Sequence, residues 1–377
     1  MVLLVDGERL PESAPALESV LAALKRHEGV LVHPSIQPPA ARPIQQQDIP
    51  AERYTSAATL AFVKEDVGLV QADSAIYCHQ AEWAFTFSDA APSIDGNPPS
   101  SQQHQQQSLL IGSQDATTCV IALLRVQLPG RSLCICCHMD GALNQDRNLR
   151  ARIEALLPSP PPTLPPYRAE LHLLGAFADH PGSRPAAMSR RNLAVGLGLF
   201  HQLPTVECRL RVCCVDVVNT VEESGTRRVR VWGMAMDSRS GHVGPVVFAQ
   251  DALPSVSLPL RHWASSSSDG NPVEYYNPSH DEYAIAVAPE EAGSGSTMPD
   301  DLLDFLINAN DAFILKHCST SPQCEPSHFP DQLRAKWRFM RGHPDPSALF
   351  PNGRPIVYKR CWREGGRVEW VQRGEER

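Results

Sequence analysis

Residues 109–141 read LLIGSQDATTCVIALLRVQLPGRSLCICCHMDG. Two apolar runs flank Gln127-Leu-Pro-Gly130, and Pro129-Gly130 is a strong turn signal. The runs 117–126 and 133–137 are aliphatic and β-branched, so the stretch reads as a β-hairpin. A four-residue loop at 127–130 sets Cys119 directly opposite His138. A two-residue turn at Pro129-Gly130 sets Cys119 opposite Asp140, with His138 one diagonal away. Either register puts Cys119 and His138 on one face, with Cβ atoms about 4.5–8 Å apart. A slip of one residue would separate them. Local spacing alone thus builds the pair that a thiolate nucleophile needs.

The chain has 377 residues, enough for one elaborated domain or two. Asp plus Glu number 42 against 34 Lys plus Arg, which argues against an electrostatic nucleic-acid binder. No stretch approaches the roughly 18–20 apolar residues of a membrane span. The start, MVLLVDGERL, lacks a basic n-region, so no signal peptide is expected. Eleven cysteines, an odd number, point to a reducing compartment and free thiols.

Outside the hairpin, strands are expected at 2–5, 75–87, 170–177, 209–218, 228–236 and 244–249. Helices are expected at 14–27, 146–157, 188–201 and 302–315, with another opened by Pro330 and stopped by Gly342. A terminal hairpin is expected around Gly365-Gly366. Residues 33–50 read as loop. Residues 89–107, rich in Pro, Ser and Gln, and residues 263–278 read as insertions, and the prolines of 158–166 as a stiff exposed connection. Strands outnumber helices and short turns join most of them. The expectation is an α+β fold, with mostly antiparallel sheets and helices packed outside.

Each chemical candidate has a plainer reading. Cys119 alone would be a core cysteine, since cysteine is among the most buried residues. His138 across the hairpin argues otherwise. So does the polar run Gly112-Ser-Gln-Asp-Ala-Thr-Thr118, whose amides and hydroxyls could serve a developing oxyanion. Cys134-Ile-Cys-Cys137-His138 matches a haem-attachment pattern, but such sites belong to exported proteins. Zinc is disfavoured because Cys134 and Cys137, three apart on a strand, face opposite ways. Gly196-Leu-Gly198 lies within an expected helix and carries no nucleotide fingerprint. The 318–329 run concentrates hydroxyls with Glu325 and His328, but by itself reads as a capping loop.

At these residues the chain resembles the eukaryotic protein N-terminal asparagine amidohydrolase family, the deamidases of the N-degron pathway. The resemblance rests on GS-x-DATTC at 112–119 and on the hairpin ending in His138-x-Asp140-Gly141. Met1–Gly7, Tyr77-x-x-Gln80-x-Glu82, Leu171–Phe177 with Asp179, Ser319–Pro322, Glu325-Pro326, His328-Phe329, Phe350 and Tyr358-Lys359 extend it over well over half the chain. The chain departs from the family in three insertions, at 89–107, 142–166 and 255–278, and at Val2, where animal members carry proline. The family resembles bacterial deamidases of the chemoreceptor and cytotoxic-necrotising-factor type, which are α/β/β sandwiches.

The resemblance implies an α/β/β arrangement in a single catalytic domain. It implies Cys119 as nucleophile, His138 as base and acid, and Ser113 as third member, the last by analogy alone. It implies as substrate a protein or peptide with a free N-terminal asparagine, deamidated to aspartate through a thioester. No metal or other cofactor, nucleic acid or membrane is called for, and the expected location is cytoplasmic, possibly nuclear. The pocket must hold an α-ammonium. Candidates are Glu82, Asp115 and Glu325, with Thr117 and Thr118 also expected at the substrate. Rival readings are another cysteine amidase acting on glutamine or internal side chains, a non-catalytic N-terminus binder, and a metal or redox protein built on the cysteines.

Overall fold

In a computed structural model, the residues described are 2–5, 8–9, 57–70, 75–89, 109–141, 145–158, 165–248 except 181, 202, 204 and 224, then 259–261, 264, 273–286, 298–362 and 368–374. The expected helix at 14–27, the loop at 33–50 and all but Asp89 of the 89–107 insertion lie outside them.

An eight-stranded sheet forms the middle layer. Its strands run in the spatial order Val273–Glu274, Glu82–Asp89, Arg131–Met139, Val120–Leu128, Tyr167–Phe177, Val206–Asp216, Val2–Val5 and Glu8–Arg9. The hairpin sits at its centre. Leu128 pairs with Arg131, so the turn is the two-residue Pro129-Gly130 and Gly130 takes the positive φ it needs (73°). Along Val120–Leu128 only Arg125 and Gln127 are not buried. A strand covered on both faces reads as a near-continuous apolar run.

The strand period sorts the side chains between two layers. Val120, Ala122, Leu124 and Val126 pack against Leu149 and Ile153 of the helix Gln145–Leu156 and against Leu193 and Leu197 of the helix Arg184–His201. Cys119, Ile121 and Leu123 belong instead to a core shared with Ile76, Ile111, Met234 and Met236. Those last four come from a five-stranded sheet ordered Gly68–Val70, Val243–Phe248, Met234–Asp237, Leu110–Ser113 and Ala75–Cys78. Helices, large sheet and small sheet thus stack as an α/β/β arrangement, and the fold is α+β. A four-stranded sheet (Tyr276–Asn277, Glu282–Ile285, Ile356–Trp362, Val368–Gln372) and the helices Asp300–Asn308 and Phe329–Gly342 also contribute to the second core.

Several expectations change. The 75–87 strand is two strands, Ala75–Cys78 and Glu82–Asp89, which belong to different sheets. The chain turns between them with Ala81 at φ 62°. Continuous apolar patterning hid the break because both halves are buried. The 302–315 helix is likewise two, Asp300–Asn308 and Asp311–Cys318. The second has its own cap, since Asn310 accepts from the Phe313 amide at 2.9 Å. The large sheet is mixed: Tyr167–Phe177, Val206–Asp216 and Val2–Val5 run parallel. The helix Arg184–His201 lies between the first two in the chain, as a parallel crossover requires. The helix expected at 146–157 is present as Gln145–Leu156, and residues 255–278 contribute Leu260, Arg261, Ala264, Tyr275 and Tyr276 to the buried interior.

Candidate active site

Val120 pairs with Met139 and Ile121 with His138, which places Cys119 on His138's face, one diagonal step away. Cys119 is buried, at 8% exposure, and precedes its strand directly. The polar run before it is anchored through its carbonyls. Thr117 O accepts from the Phe177 amide (3.1 Å), Thr118 O from Asn192 Nδ2 (2.8 Å) and Cys119 O from the Ala176 amide (2.8 Å). The close approach needs glycine at 175. A Cβ there would lie 2.2 Å from Cys119 O, and φ is 117°. Gly175→Ala should therefore destabilise the protein by about 2–3 kcal/mol, read as a lower midpoint in chemical denaturation. An unchanged midpoint would contradict this packing.

His138 is oriented from the small sheet. Ser113 Oγ lies 2.8 Å from His138 Nδ1 and 2.6 Å from Cys78 O, to which it donates. The hydroxyl has one proton, so toward His138 it accepts, and the imidazole carries its hydrogen on Nδ1. Nε2 is left as a bare acceptor, and it has no hydrogen-bond partner among the described residues. Burial lowers the His138 pKa to about 4, against the opposing charges of Asp140 and Asp115. Burial pushes the Cys119 thiol well above its usual range, and Asp140 and Glu325 push the same way, opposed by the Thr118 hydroxyl. The resting pair is a neutral thiol and a neutral imidazole.

The three candidate carboxylates differ sharply. Glu82 is buried at 2% and faces Arg261, buried at 1%. Arg261 Nε donates to Glu82 Oε1 at 3.1 Å, its Nη2 donates to Oε2, and Oε2 also accepts from the His79 amide at 2.9 Å. Removing either partner would strand a buried charge, at a cost of about 3–5 kcal/mol. This carboxylate is already committed. Asp115, at φ 67°, takes His328 Nε2 on Oδ2 at 3.0 Å. Burial opposes protonation of His328, but the hydrogen bond and charge of Asp115 prevail and raise its pKa. Glu325 stands apart. Its Oε1 accepts from Ser319 Oγ (2.5 Å) and Ser321 Oγ (3.0 Å), and Oε2 has no partner among the described residues. Burial raises its pKa, against those two hydroxyls.

The 318–329 run is therefore more than a capping loop. Ser321 Oγ lies 3.0 Å from Thr117 Oγ1, and Thr320 Oγ1 lies 3.2 Å from Thr118 Oγ1. The run closes over the polar approach to Cys119. Its hydroxyl density was the signal, but nothing in linear spacing joins it to residues 117–118. The influence of Asp140 on the thiol follows from the two-residue turn, which sets it across from Cys119. The other cysteines of the hairpin pack. Cys134 and Cys136 face the small sheet and Cys137 the helices, and burial raises all three thiols.

A thiol beside an imidazole with a bare Nε2 can attack a carbonyl carbon and hand a proton to the departing group. By its chemistry the site is of the hydrolase kind. The family model described as protein N-terminal asparagine amidohydrolase matches residues 68–369, and the chain belongs to that family. It is 27% identical over 273 residues to the protein N-terminal asparagine amidohydrolase of Sus scrofa, covering 68% of this chain and 77% of that protein. The proteins of the same name from Homo sapiens (27%) and Mus musculus (26%) match over 265 residues, 67% of this chain and 74% of each.

Proposed function

We propose that this chain hydrolyses the side-chain amide of an N-terminal asparagine in proteins and peptides, giving N-terminal aspartate and ammonia. Family membership supports the reaction. The observation that carries the mechanism is the Ser113–His138 contact, whose donor logic leaves Nε2 bare on the side of the sheet that holds Cys119. Nε2 takes the thiol proton as sulfur attacks the carboxamide carbon. With the carbonyls of Thr117, Thr118 and Cys119 tied, the amides of this loop are the donors it can offer to the oxyanion. His138 then protonates the leaving ammonia, and water hydrolyses the thioester.

Glu325 is the proposed partner of the substrate α-ammonium, because its Oε2 takes no partner among the described residues. Glu82 and Asp115, each already paired with a basic side chain, take supporting places instead. The place in the N-degron pathway rests on the family resemblance, and the proposed cytoplasmic or nuclear location on the reducing compartment that eleven cysteines suggest.

The test is ammonia release from short peptides beginning Asn, Gln, acetyl-Asn and Gly-Asn. Asn peptides should turn over, with little from the rest. Equal rates on acetyl-Asn and free Asn would sink the N-terminal reading. The pH profile is a second check. His138 works only when neutral, and its lowered pKa places the acid limb of kcat, read at saturating peptide where the substrate ammonium holds Glu325 charged, near pH 4, not near 6.5. On the alkaline side the substrate loses its ammonium charge around pH 8. An acid limb at pH 6 or above would contradict the buried, neutral imidazole.

A further inference from the structure

We infer that the buried Arg261–Glu82 ion pair is a positioning device for His138, acting through the turn 78–82. Ser113 belongs to the small sheet and His138 to the large one, so their contact is made between two layers. The turn from Ala75–Cys78 to Glu82–Asp89 links the two layers at that point, and it touches both members. Cys78 O accepts the Ser113 hydroxyl at 2.6 Å, and the Ala81 amide donates to His138 O at 3.0 Å.

Arg261 grips this turn from both ends. Nη2 donates to Tyr77 O at 2.7 Å on the small-sheet side, while Nε and Nη2 hold Glu82 on the large-sheet side. Glu82 in turn accepts from the His79 amide inside the turn. The guanidinium lies over the Tyr283 ring, 4.6 Å from its centroid. Tyr283 completes the grip, since its hydroxyl accepts from the Tyr77 amide at 2.9 Å and donates to Tyr77 O at 3.1 Å. A planar fork is needed to reach a carbonyl on one sheet and a carboxylate on the other, and lysine cannot supply it. With Cys78 O fixed, the Ser113 proton is committed to it, and only then must Ser113 accept from His138. Arg261 touches no reacting atom. It selects the imidazole tautomer from behind.

The kinetic arm of the test rests on the proposed deamidation. Arg261→Lys, in the full chain, should lower kcat on an Asn peptide by about 10–100-fold with KM within about twofold, as expected when a reacting group is misplaced. In a Ser113→Ala background the same substitution should cost almost nothing, because its route is already cut. Losses that simply multiply, or no loss at all, overturn the proposal. Glu82→Asp, which shortens the same grip by one methylene, carries the cycle if Arg261→Lys does not fold. A readout without turnover separates this inference from the functional one. Histidine-selective 15N NMR of the wild type should show His138 as the Nδ1–H tautomer, and Arg261→Lys or Glu82→Asp should give a mixture. A wild-type Nε2–H tautomer overturns the positioning role whether or not any peptide is deamidated. No ammonia from any Asn peptide, with the Nδ1–H tautomer present, overturns the functional reading alone.

Discussion

Cys119→Ala should abolish deamidation, lowering kcat/KM on an Asn peptide by about four to six orders of magnitude. The fold should survive, because the change removes one sulfur from a site at 8% exposure. The neighbouring thiols of the hairpin cannot stand in. Cys134, Cys136 and Cys137 are buried in strand packing, with Cys134 pushed up to about 12. Cys119→Ser should be nearly as inactive, since the neutral imidazole must then deprotonate a far weaker acid. Ammonia assays beside thermal unfolding check both. Turnover undiminished in a folded Cys119→Ala protein would show that the reaction does not use this thiol.

The second large effect is expected at Glu325. Truncating one partner of a desolvated, hydrogen-bonded charge pair costs about 2–5 kcal/mol. Glu325→Gln should therefore lower kcat/KM for Asn peptides by about 30-fold to several thousand-fold, mostly through KM. Discrimination against acetyl-Asn should shrink in step. The free protein should respond in the opposite sense. Glu325 raises the Cys119 thiol pKa, so removing its charge makes the thiolate easier to form and alkylation by iodoacetamide faster. A damaged fold would not pair slower substrate turnover with faster alkylation confined to Cys119. An unchanged KM would take the ammonium away from Glu325.

How much was legible follows from which contacts are local. The hairpin was legible because Pro129-Gly130 and two apolar runs are all it needs. The Cys119–His138 face followed from parity. The turn length remained open in the sequence, and with it the place of Asp140. Ser113 was legible only by resemblance, since its contact with His138 crosses between two sheets and no periodicity reports that. The split of 75–87 was hidden for a related reason. Both halves are buried, so alternation gives no sign that the chain changes layer at His79–Ala81. Glu82 looked like an available carboxylate because its partner, Arg261, lies far along the chain, inside the 255–278 stretch expected to be an insertion. The ranking of Glu325 above Asp115 needed His328 to be seen on Asp115.

The bond between Ser113 and His138 makes catalytic competence a property of assembly. A folding intermediate that has formed the central hairpin already holds a cysteine and a histidine on one face. Without the small sheet, its imidazole is free to sample both tautomers. Docking supplies Ser113, Cys78 O and the turn together. The docked small sheet is thus a condition for the Nδ1–H tautomer, and with it for the proposed role of His138 as base.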